Sequence, residues 1–74
     1  MDIKLDTVGY IKEGQFSGWY IFITQYDDET FEILLSEKSN FDPNVNGADY
    51  FAEDQGSLET QLEYWKVKID WTEK

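Results

Sequence analysis

The residues best suited to chemistry in this chain are the carboxylates and amides gathered between positions 42 and 53. This segment reads DPNVNGADYFAE and matches the spacing of Asp, Asn, Gly and Glu in EF-hand calcium loops. Ca²⁺ prefers several oxygen ligands, which such a loop supplies from side chains, one main-chain carbonyl and a final bidentate glutamate. The candidate ligands are Asp42, Asn44, Asn46, the Ala48 carbonyl and Glu53.

The context of this segment argues against calcium. Asp49 stands where paired calcium loops carry an aliphatic residue, and Gly56 should interrupt the helix that ought to leave the loop. Residues 30–36, which should form the entering helix, alternate like a strand instead. We therefore expect no metal and no cofactor, and we keep a calcium-binding module as an alternative.

The residue types that carry most enzyme chemistry are missing from the sequence. It contains no histidine and no cysteine, which removes the commonest general base and the thiolate nucleophile. The four serines have no base partner of the usual kind and no strand-turn-helix elbow. Carboxylate pairs could act as acid and base, but sixteen Asp and Glu produce such pairs by accident. We expect a protein without catalytic activity.

Net charge is the most pronounced compositional feature. Sixteen acidic residues against six lysines give a formal charge of −10, yet 41% of the residues are hydrophobic, enough for a folded core. Such a charge opposes direct binding to nucleic acid or to anionic membranes, and it attracts basic partners. The alternative is that the acids serve solubility alone.

Length and composition predict a single domain over residues 1–74. The absence of cysteine argues against a secreted disulfide scaffold. The first residues do not resemble a secretion signal, and no apolar stretch of the sequence is long enough to predict a membrane span. We expect a cytoplasmic protein, either a monomer or a homodimer.

The hydrophobic pattern predicts an α+β fold: a twisted antiparallel sheet of four to five strands with one short helix packed on it, in the chain order β-β-β-(β)-α-β. Residues 19–26 are apolar on both faces and predict a central strand, which pairs as a hairpin with residues 30–36. The remaining predictions are strands over 3–12, 50–52 and 65–71, and a helix over 57–64 with Ser57 as its N-cap.

The acidic residues gather in three places: a hairpin tip, a long loop, and Glu59 and Glu63 on the helix. A hairpin tip and a loop can lie at the same end of such a sheet. Together they would form one anionic surface, with Tyr26 and Phe51 nearby as aromatic anchors. The predicted partner-binding residues are Asp27, Asp28, Glu29, Asp42, Asp49, Tyr50, Glu53 and Asp54. The competing interpretation is that the aromatics are core and the acids are merely solvated.

A series of short motifs extends from Gly18 to Trp71. They are the aromatic strand Gly18-Trp19-Tyr20-Ile21, the strand Ile33-Leu34-Leu35-Ser36, the loop Gly47-Ala48-Asp49-Tyr50, a helix over 57–64 and the ending Ile69-Asp70-Trp71. With these motifs the chain resembles small acidic bacterial domains of the immunity type, which bind a cognate toxin and block it. That resemblance implies that the chain inhibits a partner, but it identifies no binding residue.

The composition is also similar to that of phage-encoded acidic inhibitors, including anti-CRISPR proteins and DNA mimics. We therefore predict an acidic protein-binding module, an inhibitor or immunity-type protein that occludes a basic, nucleic-acid-processing partner such as a toxin or nuclease. The alternatives are a phage-type DNA-mimic or anti-CRISPR inhibitor, the calcium module, and a structural homodimeric accessory protein.

Overall fold

The computed structural model describes residues 3–38, 41 and 47–71. Within them the chain forms five strands and one helix: β1 (Gly9–Glu13), β2 (Tyr20–Gln25), β3 (Phe31–Ser36), β4 (Gly47–Ala52), α1 (Gln55–Trp65) and β5 (Lys68–Trp71). The strands form one antiparallel sheet with the spatial order β4-β3-β2-β1-β5. An α+β fold with an antiparallel sheet and one helix is thus confirmed.

The hairpin of β2 and β3 forms the centre of the sheet. Its register runs through six residue pairs, from Tyr20 opposite Ser36 to Gln25 opposite Phe31. Both strands are rich in β-branched and aromatic residues, which favour the extended backbone. The predicted central strand and its hairpin partner are therefore confirmed.

Helix α1 connects the two edges of the sheet. It follows β4 at one edge and leads to β5 at the other, where β5 pairs with β1. Its residues Leu58, Leu62 and Trp65 are buried against one side of the sheet, which we call the helix face. The sheet contributes the rest of this core, namely Ile11, Ile21, Ile23, Phe31, Ile33, Leu35 and Ala52, joined by Val67 after the helix.

The helix begins earlier than the sequence predicts. Asp54, and not Ser57, is the N-cap, because its carboxylate accepts a hydrogen bond from the Ser57 N–H at 2.7 Å. Gly56 lies inside the first turn and does not interrupt the helix. The helix also ends later, at Trp65, where Lys66 turns left-handed with φ 58° and its N–H bonds back to carbonyls of the last turn.

Three predicted strands have different bounds in the structure. The first begins only at Gly9, because Asp6 adopts a left-handed φ of 56° that turns the chain away from extended geometry. The fourth begins at Gly47, three residues before the predicted start at Tyr50, because its pairing with β3 extends across the whole of that strand. The last begins at Lys68 because Trp65 belongs to the helix.

Candidate protein-binding surface

The turn between β2 and β3 lies at the same end of the sheet as the connection from β4 to α1. Phe31, the first residue of β3, pairs with Gln25 on one side and with Ala52 on the other. The segments 27–29 and 53–54 therefore continue from neighbouring positions of the sheet. Five of the predicted site residues are brought to this end: Asp27, Asp28, Glu29, Glu53 and Asp54.

Two further carboxylates that the site prediction missed join them. The Asp6 N–H donates to the Ile23 carbonyl at 2.8 Å, and the Asp6 carboxylate accepts from the Thr24 hydroxyl at 2.8 Å. Glu32 lies opposite Thr24 in the sheet. We call the seven carboxylates together the acidic end: Asp6, Asp27, Asp28, Glu29, Glu32, Glu53 and Asp54.

Hydrogen bonds hold several of these groups in defined positions. The Asp28 carboxylate accepts from the Thr30 hydroxyl at 2.6 Å and from the Thr30 N–H at 3.1 Å, and these bonds lower the pKa of Asp28. The bond from the Ser57 N–H is the main cause that lowers the pKa of Asp54. Both side chains are therefore firmly anionic at neutral pH.

Tyr26 carries an aromatic ring into the acidic end. Its hydroxyl donates a hydrogen bond to the Glu32 carboxylate, and this bond is the first cause that raises the pKa of Tyr26; slight burial and the charge of Glu32 add to it. The hydroxyl therefore keeps its proton at neutral and moderately alkaline pH.

Most of the described lysines lie at the other end of the molecule. Lys12 and Lys68 lie on β1 and β5 where those strands extend beyond β2, and the Lys68 ammonium is 3.7 Å from the Glu13 carboxylate. Lys38 follows β3, and Lys66 caps the C-terminus of α1. Lys4, in the segment leading to Asp6, is the exception. The lysine-bearing end also carries Glu13 and Glu37, so its charges are mixed. The negative charge is thus concentrated at the acidic end, where α1 begins.

The side of the sheet turned away from α1, which we call the open face, is rich in aromatic residues. Side chains alternate along strands, so the neighbours of the buried core residues point here. They include Tyr10, Tyr20, Phe22, Leu34 and Phe51. The Tyr10 and Tyr20 rings meet edge to face with centroids 5.3 Å apart, and Phe41 packs on Phe22 at 6.0 Å. Phe51 remains 68% exposed.

Acidic side chains surround these apolar groups. Glu32 lies between Thr24 and Phe51, Asp49 lies beside Leu34, and Asp70 lies beside Tyr10. The row that contains Glu32 and Phe51 adjoins the acidic end. The open face and the acidic end therefore form one continuous surface.

Two of the predicted site residues do not lie at the acidic end. Asp49 lies on the open face in the middle of the sheet. Tyr50 points to the helix face, where its ring packs on Trp65 at 4.9 Å and on Phe16 at 6.5 Å between centroids. Tyr50 therefore packs beside the core and does not share the open face with Asp49, although part of its ring is exposed. Asp42 lies outside the described residues.

The geometry also bears on the predicted calcium ligands. Asp42, Asn44 and Asn46 lie outside the described residues, but Ala48 belongs to strand β4 and Glu53 follows its end. Four strand steps separate Ala48 from Ala52, roughly 13 Å. Two oxygens on one Ca²⁺ lie within about 5 Å of each other. The extended strand therefore prevents the Ala48 carbonyl and Glu53 from sharing one ion as an EF-hand requires.

Among the described residues, no helix is both long enough and apolar enough to cross a membrane. Comparison with known proteins provides no further guide to function. No protein-family model, no curated protein and no solved structure matches this chain.

Proposed function

We propose that this protein is an acidic binding module of the inhibitor or immunity type, which covers a basic surface of a nucleic-acid-processing partner. The observation that supports this proposal most directly is the segregation of charge. Seven carboxylates share one end, and four of the six lysines of the chain lie at the opposite end.

Segregated charge matters because it orients the protein relative to its partner as the two approach each other. A uniformly acidic surface attracts a cation from any direction, whereas a charge dipole turns one end of the molecule toward it. Mere solubility would not require this arrangement. Backbone and hydroxyl groups donate hydrogen bonds to four of the seven carboxylates and orient them, namely Asp6, Asp28, Glu32 and Asp54.

The first experiment compares two variants of equal net charge. Asp27→Asn/Glu53→Gln neutralises two carboxylates of the acidic end, and Glu59→Gln/Glu63→Gln neutralises two on the exposed side of α1. Either change takes the formal charge from −10 to −8, since two negative charges are lost. Each tagged protein is used to isolate partners from its native host, and association rates with the purified partner are then measured at low and physiological salt.

We expect a basic partner whose nucleic-acid processing is inhibited at a one-to-one ratio. Electrostatic steering raises association rates by about 10- to 1,000-fold. If seven carboxylates contribute equally to the logarithm of that factor, the acidic-end variant should associate about two- to sevenfold more slowly. The helix variant should change the rate much less. Recovery of no basic partner even at low salt, or equal effects of the two variants, would contradict the proposal.

A further inference from the structure

We propose that the open face is the contact surface for the apolar part of that basic partner. This inference rests on the proposed function and adds to it the chemistry of the bound surface. The partner presents apolar side chains flanked by lysine or arginine. The apolar groups cover Phe51 and Leu34, and the cations meet Glu32, Asp49 and the acidic end.

The first argument is continuity. The rings of Tyr20, Phe22 and Tyr10 form the far part of the open face, and Phe51 lies in the row that adjoins the acidic end. A partner surface that approaches Glu32 therefore contacts the exposed ring of Phe51 at the same time. Tight interfaces combine such an apolar centre with a charged rim.

The second argument is the sign of the charges on the face. Glu32, Asp49 and Asp70 all lie among its apolar side chains, so the face has negative groups on several of its rows. Each of these carboxylates attracts a cationic partner. Arginine is particularly suited because its guanidinium also stacks on tyrosine and phenylalanine rings.

The third argument excludes a second copy of this chain as the occupant. Five strands about 4.8 Å apart and three same-face rows about 6.7 Å apart give the open face an area of roughly 480 Å². A stable interface needs about 800 Å² from each partner. Two copies meeting through this face would fall short of that area, and each carries a net charge of −10. A basic partner reaches the required area by covering the acidic end as well.

The test uses two synthetic peptides of equal length and charge. One alternates lysine with leucine and the other alternates lysine with serine. Their affinities for the whole chain are measured by calorimetry, and backbone amide shifts of the ¹⁵N-labelled protein locate the contact. We expect the leucine peptide to bind about tenfold more tightly, the scale of one well-buried apolar contact, and to shift amides of β2, β3 and β4.

Two aromatic substitutions provide a matched comparison. Phe51→Ser removes a ring that is 68% exposed on the open face, and Tyr64→Ser removes one that is 76% exposed on α1, so neither should unfold the protein. The first should abolish the preference for the leucine peptide and the second should preserve it. Circular dichroism of both variants confirms that they are folded.

The outcomes separate this inference from the proposed function. Equal affinities for the two peptides, both reduced by Asp27→Asn/Glu53→Gln, would overturn the role of the open face and leave the acidic end as the binding site. If neither peptide binds at low salt, both proposals fail. A wild-type dimer in sedimentation that Phe51→Ser converts to a monomer would assign the face to a second copy and overturn the inference.

Discussion

Gly14, in the turn between β1 and β2, offers the sharpest test of how the sheet is joined to its helix. Its φ is 98°, a conformation that residues with a side chain rarely adopt. A Cβ added there would lie 2.2 Å from the carbonyl oxygen of Lys66 and 2.6 Å from its carbonyl carbon. These are backbone atoms at the C-terminal cap of α1, so no side-chain rotation relieves the contact. We therefore expect Gly14→Ala to push the turn away from the helix.

Gly18 in the same turn provides the control. Its φ is 92°, close to that of Gly14, but a Cβ added there meets no heavy atom within 4 Å. Gly18→Ala therefore destabilises the fold only by placing a side chain in a left-handed conformation, without a steric contact. Because the two substitutions make the same chemical change in one turn, the difference between them isolates the collision with Lys66.

The expected magnitudes differ clearly. A left-handed backbone costs a residue with a Cβ about 1–2 kcal/mol, which is the expected effect of Gly18→Ala. Overpacking adds about 1–3 kcal/mol, so Gly14→Ala should lower the free energy of unfolding by about 2–5 kcal/mol. A domain of this size has about 3–5 kcal/mol from its core. Gly14→Ala should therefore leave much of the protein unfolded, whereas Gly18→Ala should remain folded.

Urea denaturation followed by tryptophan fluorescence and far-ultraviolet circular dichroism measures both effects. Trp65 reports on this region directly, since its carbonyl accepts a hydrogen bond from the Gln15 N–H at 2.9 Å beside the turn. Equal unfolding midpoints for the two variants would refute the reasoning, because they would show that the turn does not press on the helix cap.

Two further predictions concern the helix. Leu62 is 0% exposed, so Leu62→Ala should lower the free energy of unfolding by about 2–5 kcal/mol in urea titrations, whereas Glu63→Ala next to it should have little effect. Asp54→Ala removes the N-cap and should lower the unfolding midpoint at neutral pH. The pKa of Asp54 is lowered by folding, so its contribution is present above the ordinary carboxyl pKa of about 3.9 and is lost as the pH falls through the lower folded value. The unfolding midpoints of the wild type and this variant should therefore converge in acid. A difference between the midpoints that persists in acid would contradict stabilisation by the ionised Asp54 cap.

The central hairpin could be predicted from the sequence because its two apolar runs are separated by a short polar break. The helix boundaries could not. Gly56 is unfavourable in the middle of a helix, but in the first turn its N–H has no helical partner and the Asp54 cap compensates. Trp65 fits the helical stripe and also the alternation of the last strand, and only the left-handed turn at Lys66 decides between them.

The acidic end could be predicted only in part. A hairpin tip is visible in the sequence, but its proximity to Glu53 and Asp54 depends on β4 pairing with β3 in one particular register. Asp6 is held at the same end by hydrogen bonds with the Ile23 carbonyl and the Thr24 hydroxyl, for which the sequence carries no pattern. The sequence places Tyr50 and Phe51 on one surface, because adjacent aromatic residues do not reveal which of them faces the helix. In the structure the alternation of β4 turns them to opposite faces of the sheet.

The strand ladders of the sheet differ in length. β2 pairs with β3, and β3 with β4, through six residues each, whereas β1 pairs with β2 through two, Gly9 opposite Ile21 and Tyr10 opposite Tyr20. Ile11 adds backbone hydrogen bonds to Trp19 and Gly18 beside this short ladder, and β1 pairs with β5 through four residues. On the open face the Tyr10 and Tyr20 rings meet across the boundary between β1 and β2. A molecule resting on both rings would therefore touch both halves of the sheet at once, the β1–β5 pair and the three strands from β2 to β4.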